Sequence, residues 1–464
     1  PPSPPAPGGG VEGKELKPTS PRWDGMSQAG QASTSAEAVV ARSIAIGRYG
    51  TVLGRHGAPP VSEELAGSIR HQMPLMYHFG FAAASLPTSP DAAAYGGVVA
   101  GLDDATKEHW RREIMTHWCD ATGIDGRTDA AAAGGFASQP VTDSAGVSCC
   151  AEFRPTLLST QCCLLLLRAL GVEIDSWADD GSPSREATAA TRSRRYRLLS
   201  FVARCQHTDG SFAADDDPAT EDRDVRWTYA AAVIATMLST TCEGPAASAS
   251  PRGPPPRRRN LPKGSTLDSS SVRAALRYLS RCQTHEGGFA ARPTCGEAHA
   301  GMTYCALAGG SLLSGLLDDD TDSDGEERKD FFAPRWLDRR ALTQYLARRL
   351  TAGGFNGRPY KPPDTCYNYW VGAACRIIIA DRVGDDAIAS SLARDAAAGV
   401  IALMDLSCEH GLDQTAPTGG VAKRPGVDWD PLHNYLSAAG FAALAGWGGK
   451  GVAMGVADHA AGLP

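Results

Sequence analysis

The sequence has no basic excess. Its 464 residues carry 45 Lys and Arg against 52 Asp and Glu, a formal net charge of −7. That argues against a nucleic-acid binder, whose affinity rests on clustered positive charge. Nor does any apolar run reach the roughly 20 residues of a bilayer span. The densest stretch, Cys162 to Leu167, is ended by Arg168, so no membrane span is expected. A disulfide framework is missing too. The thirteen cysteines are odd in number, scattered and mostly set in apolar segments, as at Cys162, Cys163, Cys305 and Cys375. This is the usage of reduced, buried thiols in a cytoplasmic protein. The chain begins at Pro1 without a methionine, and is read as a fragment or a processed form. What remains is an ordinary globular composition, 42% hydrophobic and 21% charged, sufficient for a sizeable core.

Composition divides the chain. Residues 1–40 are rich in Pro, Gly, Ser and Ala and are expected to be a disordered tail. One domain is expected over 41–449, followed by a short tail over 450–464. Three stretches inside the domain, near 178–195, 246–265 and 318–329, read as solvated surface insertions. The second of them carries Pro254-Pro255-Pro256-Arg257-Arg258-Arg259 and the third is an acidic run.

Between the insertions the sequence repeats itself. Leu198 to Gln206 leads to Asp209-Gly210-Ser211-Phe212, and Leu276 to Gln283 leads to Gly287-Gly288-Phe289. Leu346 to Leu350 leads to Gly353-Gly354-Phe355, and Val400 to Met404 leads more loosely to Gly419-Gly420-Val421. An earlier copy sits at Gly134-Gly135-Phe136. Each unit reads as an amphipathic helix, a glycine turn, an irregular stretch and a second, apolar helix. The second helices are placed at Arg226–Leu238, His299–Leu313, Thr365–Ile379 and Leu432–Leu444. Their alanines and glycines suit close packing in an inner layer, and the charged first helices suit an outer one. The expected fold is all-α, an α/α barrel or toroid of repeated helix pairs, with an open superhelix as the alternative topology.

The start of each inner helix carries the polar residues. Arg226, His299, the Asp364-Thr365-Cys366 trio and His433 fall there, and a barrel of parallel inner helices would gather them on one rim. Helix N-termini offer unsatisfied N–H groups to an anion. Arg358, Lys361 and Lys423 lie in the loops before the same helices, where they oppose the helix dipole, so their role reaches beyond helix stability. Asp364, Cys366 and His433 make an incomplete tetrahedral zinc set with an open fourth position. Read without the repeats, the same three residues could be an N-cap, a core thiol and a satisfied polar group.

From about Arg70 to Gly446 the sequence resembles the β subunits of the protein prenyltransferases. The most specific segment is Gly357-Arg358-Pro359-Tyr360-Lys361-Pro362-Pro363-Asp364-Thr365-Cys366-Tyr367-Asn368-Tyr369-Trp370-Val371-Gly372, which resembles the family's zinc and diphosphate signature. His433 in Asp430-Pro431-Leu432-His433-Asn434-Tyr435 matches the third zinc ligand, and His299 in Glu297-Ala298-His299-Ala300-Gly301 the diphosphate-contacting histidine.

The resemblance implies one zinc ion on Asp364, Cys366 and His433, and a diphosphate held by His299, Arg358, Lys361, Tyr367 and Lys423. It implies a prenyl cavity lined by Arg226, Tyr229, Cys305, Trp370 and Leu436. Lys423 stands where farnesyltransferases carry an aspartate associated with magnesium, and Leu436 where they carry a bulky tyrosine. Both features resemble the type I geranylgeranyltransferases. Implied with them are an obligate α subunit, geranylgeranyl diphosphate as donor, and CaaX-terminated acceptors such as Rho-type small GTPases, with no magnesium requirement. The loop Asp430-Pro431-Leu432-His433 also resembles the Rab enzyme's, and Val421 replaces the usual Phe or Leu. The alternatives are a farnesyltransferase or Rab geranylgeranyltransferase β subunit, or a non-catalytic helical-repeat scaffold. A terpene cyclase would need an Asp-rich inner-helix motif, and none is present.

Overall fold

The computed structural model describes residues 103–119, 134–141, 154–172, 194–239, 267–317, 331–332, 336–351, 353–380, 422–424, 427 and 430–445. The tails at 1–40 and 450–464, the insertions near 246–265 and 318–329, and the repeat copy around 400–404 and 419–421 lie outside the described residues. So does the insertion near 178–195, except Arg194 and Arg195, which open a helix.

The elements in order are α1 (Asp104–Met115), β1 (Trp118–Cys119), β2 (Gly135–Phe136), α2 (Leu157–Ala169), α3 (Arg194–Arg204), α4 (Val225–Leu238), α5 (Ser269–Arg281), α6 (Ala300–Ser314), α7 (Arg339–Ala347), β3 (Leu350–Thr351), β4 (Gly354–Phe355), α8 (Tyr367–Ala380) and α9 (Pro431–Ala445). Helix α4 buries eleven of its fourteen residues, whereas α5 buries only the five of one stripe, Val272, Ala275, Leu276, Tyr278 and Leu279. That contrast sorts the helices into two layers. The inner helices α2, α4, α6, α8 and α9 pack on one another in chain order. Each outer helix packs on the inner helix that follows it: α1 on α2, α3 on α4, α5 on α6, and α7 on α8. All five inner helices contribute to the wall of one central cavity. The closed ring, rather than the open superhelix, is the arrangement this sequence adopts.

The glycine turns lock each repeat to the next. Gly210 and Gly287 have φ of +89° and +96°, a region that glycine enters without strain. A Cβ at either would come within 2.2 Å and 2.0 Å of the carbonyl oxygens of Ala274 and Ala341, in the following outer helices. Beside each turn a glutamine reaches the same neighbour: Gln206 Nε2 donates to the Ser271 carbonyl and Gln283 Nε2 to the Asp338 carbonyl, both at 2.9 Å. The phenylalanine that follows each turn, Phe136, Phe212, Phe289 or Phe355, is at most 1% exposed. Cys162, Cys163, Cys205, Cys282, Cys305, Cys366 and Cys375 are buried, unpaired thiols, as the sequence led us to expect.

Candidate metal centre and cavity

Each inner helix begins with a polar cap. The Asp224 carboxylate accepts from Arg226 N–H at 2.8 Å, His299 Nδ1 from Gly301 N–H at 3.0 Å, Asp364 from Cys366 N–H at 2.9 Å, and Asp430 from His433 N–H at 3.0 Å. These groups satisfy N–H donors that a helix start leaves open. The caps therefore collect functional side chains on one rim.

Helices α8 and α9 approach closely because Gly440 carries no side chain. A Cβ there would lie 2.2 Å from the backbone carbon of Asn368, and Asn368 Nδ2 donates to Ser437 Oγ at 2.8 Å across the same seam. The approach brings Asp364, Cys366 and His433 together, with ligand atoms all within 4.8 Å of one another. His433 Nε2 lies 3.2 Å from Asp364 Oδ1, and both side chains are 13% exposed. On the other side of the ring, His433 Nδ1 lies 2.6 Å from Asp430 Oδ2. That contact fixes the ring so that Nε2 faces the other two donors, as a carboxylate commonly does for a metal-bound histidine.

Without an ion, the trio holds an Asp364–His433 ion pair beside a neutral thiol. Burial works against ionisation of Asp364, but hydrogen bonds from His433 and Cys366 carry its carboxyl down to about 2. Burial likewise opposes charge on His433, and hydrogen bonds to Asp364 and Asp430 bring it up to about 9. The Cys366 thiol is pushed far up by burial and by the Asp364 carboxylate beside it. An oxygen, a sulfur and a nitrogen donor thus crowd a buried point where the sulfur ionises only beside a positive ion. The donor set fits a metal, with three protein ligands and an open position. Lys423 Nζ stands 3.5 Å from Asp364 Oδ2, and its loop is pinned to the start of α8 by Thr365 Oγ1, which donates to the Ala422 carbonyl at 2.7 Å.

Beside the trio lies the central cavity, of about 310 Å³. Arg226, Tyr229, Cys305, Trp370 and Leu436 all line it, as does His299. Its wall also holds Tyr304, Tyr369 and Tyr435, which sequence reasoning did not single out. Tyr229 and Tyr304 hydroxyls meet at 3.2 Å, and Tyr304 and Tyr369 hydroxyls at 2.8 Å. The phenols satisfy one another and leave ring surface for an apolar guest. The signal for Tyr304 and Tyr369 is their place near the start of an inner helix, each next to a residue already chosen, Cys305 and Trp370.

The expected diphosphate residues divide. Tyr367 O–H and His299 Nε2 are 3.1 Å apart, and burial together with the Arg358 charge holds His299 below the usual imidazole range. Arg358 pairs with Glu297 at 3.0 Å, on the surface. Lys361 is exposed. Of the five, His299 lines the cavity, and Tyr367, Lys423, Arg358 and Lys361 are not among its walls. Arg226 lines it too, with Nη2 held 2.6 Å from the buried Asp224.

A closed ring of helix pairs with an Asp–Cys–His group on its rim and an aromatic cavity inside is a prenyltransferase-like architecture. The chain belongs to the prenyltransferase alpha-alpha toroid domain family, whose profile matches residues 71–453. Among its relatives is the Arabidopsis thaliana geranylgeranyl transferase type-1 subunit beta, 29% identical over 62% of this chain and 58% of that protein. Another is the Dictyostelium discoideum protein of the same name, 28% identical over 62% of this chain and 59% of that one. The Schizosaccharomyces pombe protein farnesyltransferase subunit beta is 29% identical over 41% of this chain and 38% of its own length. The chain thus spans less than two thirds of the curated relatives it matches. The fold resembles Candida albicans protein geranylgeranyltransferase-I complexed with GGPP, at a TM-score of 0.54 and 17% identity, over 86% of this chain and 90% of that one.

Proposed function

We propose that this chain is the β subunit of a zinc-dependent protein geranylgeranyltransferase type I, which moves a geranylgeranyl group from its diphosphate to the cysteine of a CaaX terminus. The observation that carries this reading is the Asp364, Cys366 and His433 group opening beside an aromatic cavity. Zinc held there would supply a Lewis acid that lowers the pKa of an incoming thiol. In the reaction the thiolate attacks C1 of the donor, the C–O bond breaks, and diphosphate leaves with the electron pair.

The chain's own residues act on both ends of that donor. The tyrosines and Trp370 take the hydrocarbon and exclude water. Because His299 Nδ1 accepts the Gly301 N–H, its proton sits on Nε2 and is donated to the Tyr367 oxygen. The Tyr367 O–H is then left to point at the leaving group, as a donor aimed at developing charge. Lys423 brings a fixed ammonium to the same place, and Arg358 and Lys361 supply charge from the loop before α8. Such a donor typically contributes about 10²–10³ in rate.

Two features favour type I. Lys423 puts a cation beside Asp364 where a magnesium-binding carboxylate would otherwise stand, and Leu436 leaves space at the cavity wall. The α subunit, CaaX proteins of the Rho type and a cytoplasmic setting complete the proposal; the buried, unpaired thiols fit a reducing compartment. Among the described residues no helix is long and apolar enough to cross a membrane. Co-expression with a prenyltransferase α subunit, followed by assay with 15- and 20-carbon donors and CaaX peptides, tests the reading. The 20-carbon donor is expected to be preferred without magnesium. A magnesium-dependent preference for the farnesyl donor would overturn the type I assignment.

A further inference from the structure

Outside the ring, where α7 ends, lies a second cavity of about 570 Å³, with His285, Tyr345, Arg348, Arg349, Asn356 and Tyr360 among its walls. The repeat shows how unusual two of these are. After each turn, one backbone N–H bonds back to the end of the outer helix: Ala213 N–H to the Cys205 carbonyl at 2.9 Å, Ala290 N–H to that of Cys282 at 3.0 Å, and Asn356 N–H to that of Arg349 at 2.9 Å. Two repeats therefore place a Cys–Ala pair where the third places Arg–Asn. The cysteines are 1% exposed, yet Arg349 is only 4% exposed and Asn356 only 5%. A guanidinium has been set into a site built for a thiol.

That arginine is not paid for by the protein. Its Nε and Nη1 reach no hydrogen-bond partner, and neither does Asn356 Oδ1. Its guanidinium carbon lies 4.7 Å from the Tyr345 ring centroid, which offsets part of the burial cost through a cation–π contact. Buried donors and acceptors are ordinarily satisfied; here two spare N–H donors and a spare carbonyl oxygen lie just behind the wall that Arg349 and Asn356 form, and a guest seated in the cavity reaches them by a small side-chain shift. Glu286, the acidic group in the wall, is engaged in accepting the Ala298 N–H at 2.8 Å. Arg348 adds a second guanidinium, so the charge favours a dianion.

We propose that this cavity binds a small hydroxylated phosphate ester, its phosphoryl group on Arg349 and Arg348 and a hydroxyl donating to Asn356 Oδ1. The site is separate from the metal centre but joined to it by the segment after β4, whose Phe355 carbonyl accepts the Asp364 N–H at 3.1 Å. Asn356 Nδ2 donates to the Lys361 carbonyl at 3.1 Å, and Tyr345 O–H to that of Gly357 at 3.4 Å. Occupancy thus bears on the loop that carries Arg358 and Lys361. None of this depends on the prenyltransferase reading.

Calorimetric titration of the full-length protein with glycerol 3-phosphate tests it, with inorganic phosphate and glycerol as comparison probes. Arg349→Cys restores the residue of the other repeats, and is expected to weaken glycerol 3-phosphate binding by about 10- to 100-fold, the loss of a charged hydrogen-bonding partner. Asn356→Ala, again the residue of the other repeats, should erase the advantage of glycerol 3-phosphate over inorganic phosphate. Lys423→Ala tests whether the probe sits on the metal rim instead. Should Arg349→Cys fail to fold, the Asn356→Ala comparison stands alone. Wild-type affinity in both variants, loss of binding in Lys423→Ala instead, or no binding to the wild type at millimolar ligand would each overturn the site.

Discussion

Replacing Asp430 by asparagine separates two roles that one carboxylate fills. Oδ1 accepts the His433 N–H at 3.0 Å and caps α9, while Oδ2 holds His433 Nδ1 at 2.6 Å. Asparagine has a single acceptor oxygen. If that oxygen keeps the cap, the amide NH2 faces Nδ1, and the Nδ1–H tautomer that leaves Nε2 bare for a metal loses its acceptor. Loss of such a partner costs about 10- to 100-fold in affinity, or about 1.4–2.8 kcal/mol. If the amide turns to serve Nδ1 instead, metal affinity survives and the cap is lost, at about 1 kcal/mol of stability. Asp430→Ala loses both. The assay is zinc competition against a chromophoric chelator, paired with urea unfolding of the metal-free protein. Asp430→Asn must fail in one measurement and Asp430→Ala in both. An asparagine variant equal to wild type in both would refute the idea that Asp430 orients His433 for the metal.

Gly287→Ala should destabilise the fold by at least about 2 kcal/mol in urea, from left-handed strain and overpacking against Ala341. Gly296→Ala, with nothing within 4 Å of the added carbon, should stay within about 0.5 kcal/mol. Cys366→Ala should abolish zinc binding and turnover while prenyl diphosphate binding, measured by fluorescent-analogue titration, persists. Lys423→Asp should make turnover slow without magnesium and partly recover when it is added. Leu436→Tyr should shift donor preference toward the 15-carbon diphosphate in a competition assay, because the ring would fill space at the cavity wall.

The inner helices were legible because their composition is so uniform. Alanine and glycine runs after a polar residue placed α4, α6, α8 and α9 within two residues of their observed ends. The Asp364, Cys366 and His433 group was legible through repeat register, since a helix start is a repeatable address. Helix α2 was seen only as a dense apolar run around Cys162–Leu167, since its unit lacks the charged helix and glycine turn in close sequence. Asp430 escaped notice because its task is to hold His433, and a cap residue three positions before a histidine has no distinctive pattern. Arg349 escaped for a different reason. In sequence Arg348-Arg349 is one more basic pair at the end of an outer helix, and only the burial of Arg349 beside the exposed Arg348 shows that its second member has turned inward.

The metal donors belong to two neighbouring staves of the ring, Asp364 and Cys366 to the start of α8 and His433 to α9. An ion bound there is a clasp across that seam as well as a reagent. By linkage, whatever parts α8 from α9 weakens the clasp by the same factor with which the clasp resists the parting. Zinc affinity therefore serves as a strain gauge for the ring. A substitution at Gly440, a docked partner or a bulky guest in the cavity can each be weighed by how far it shifts the chelator concentration at which the ion comes away.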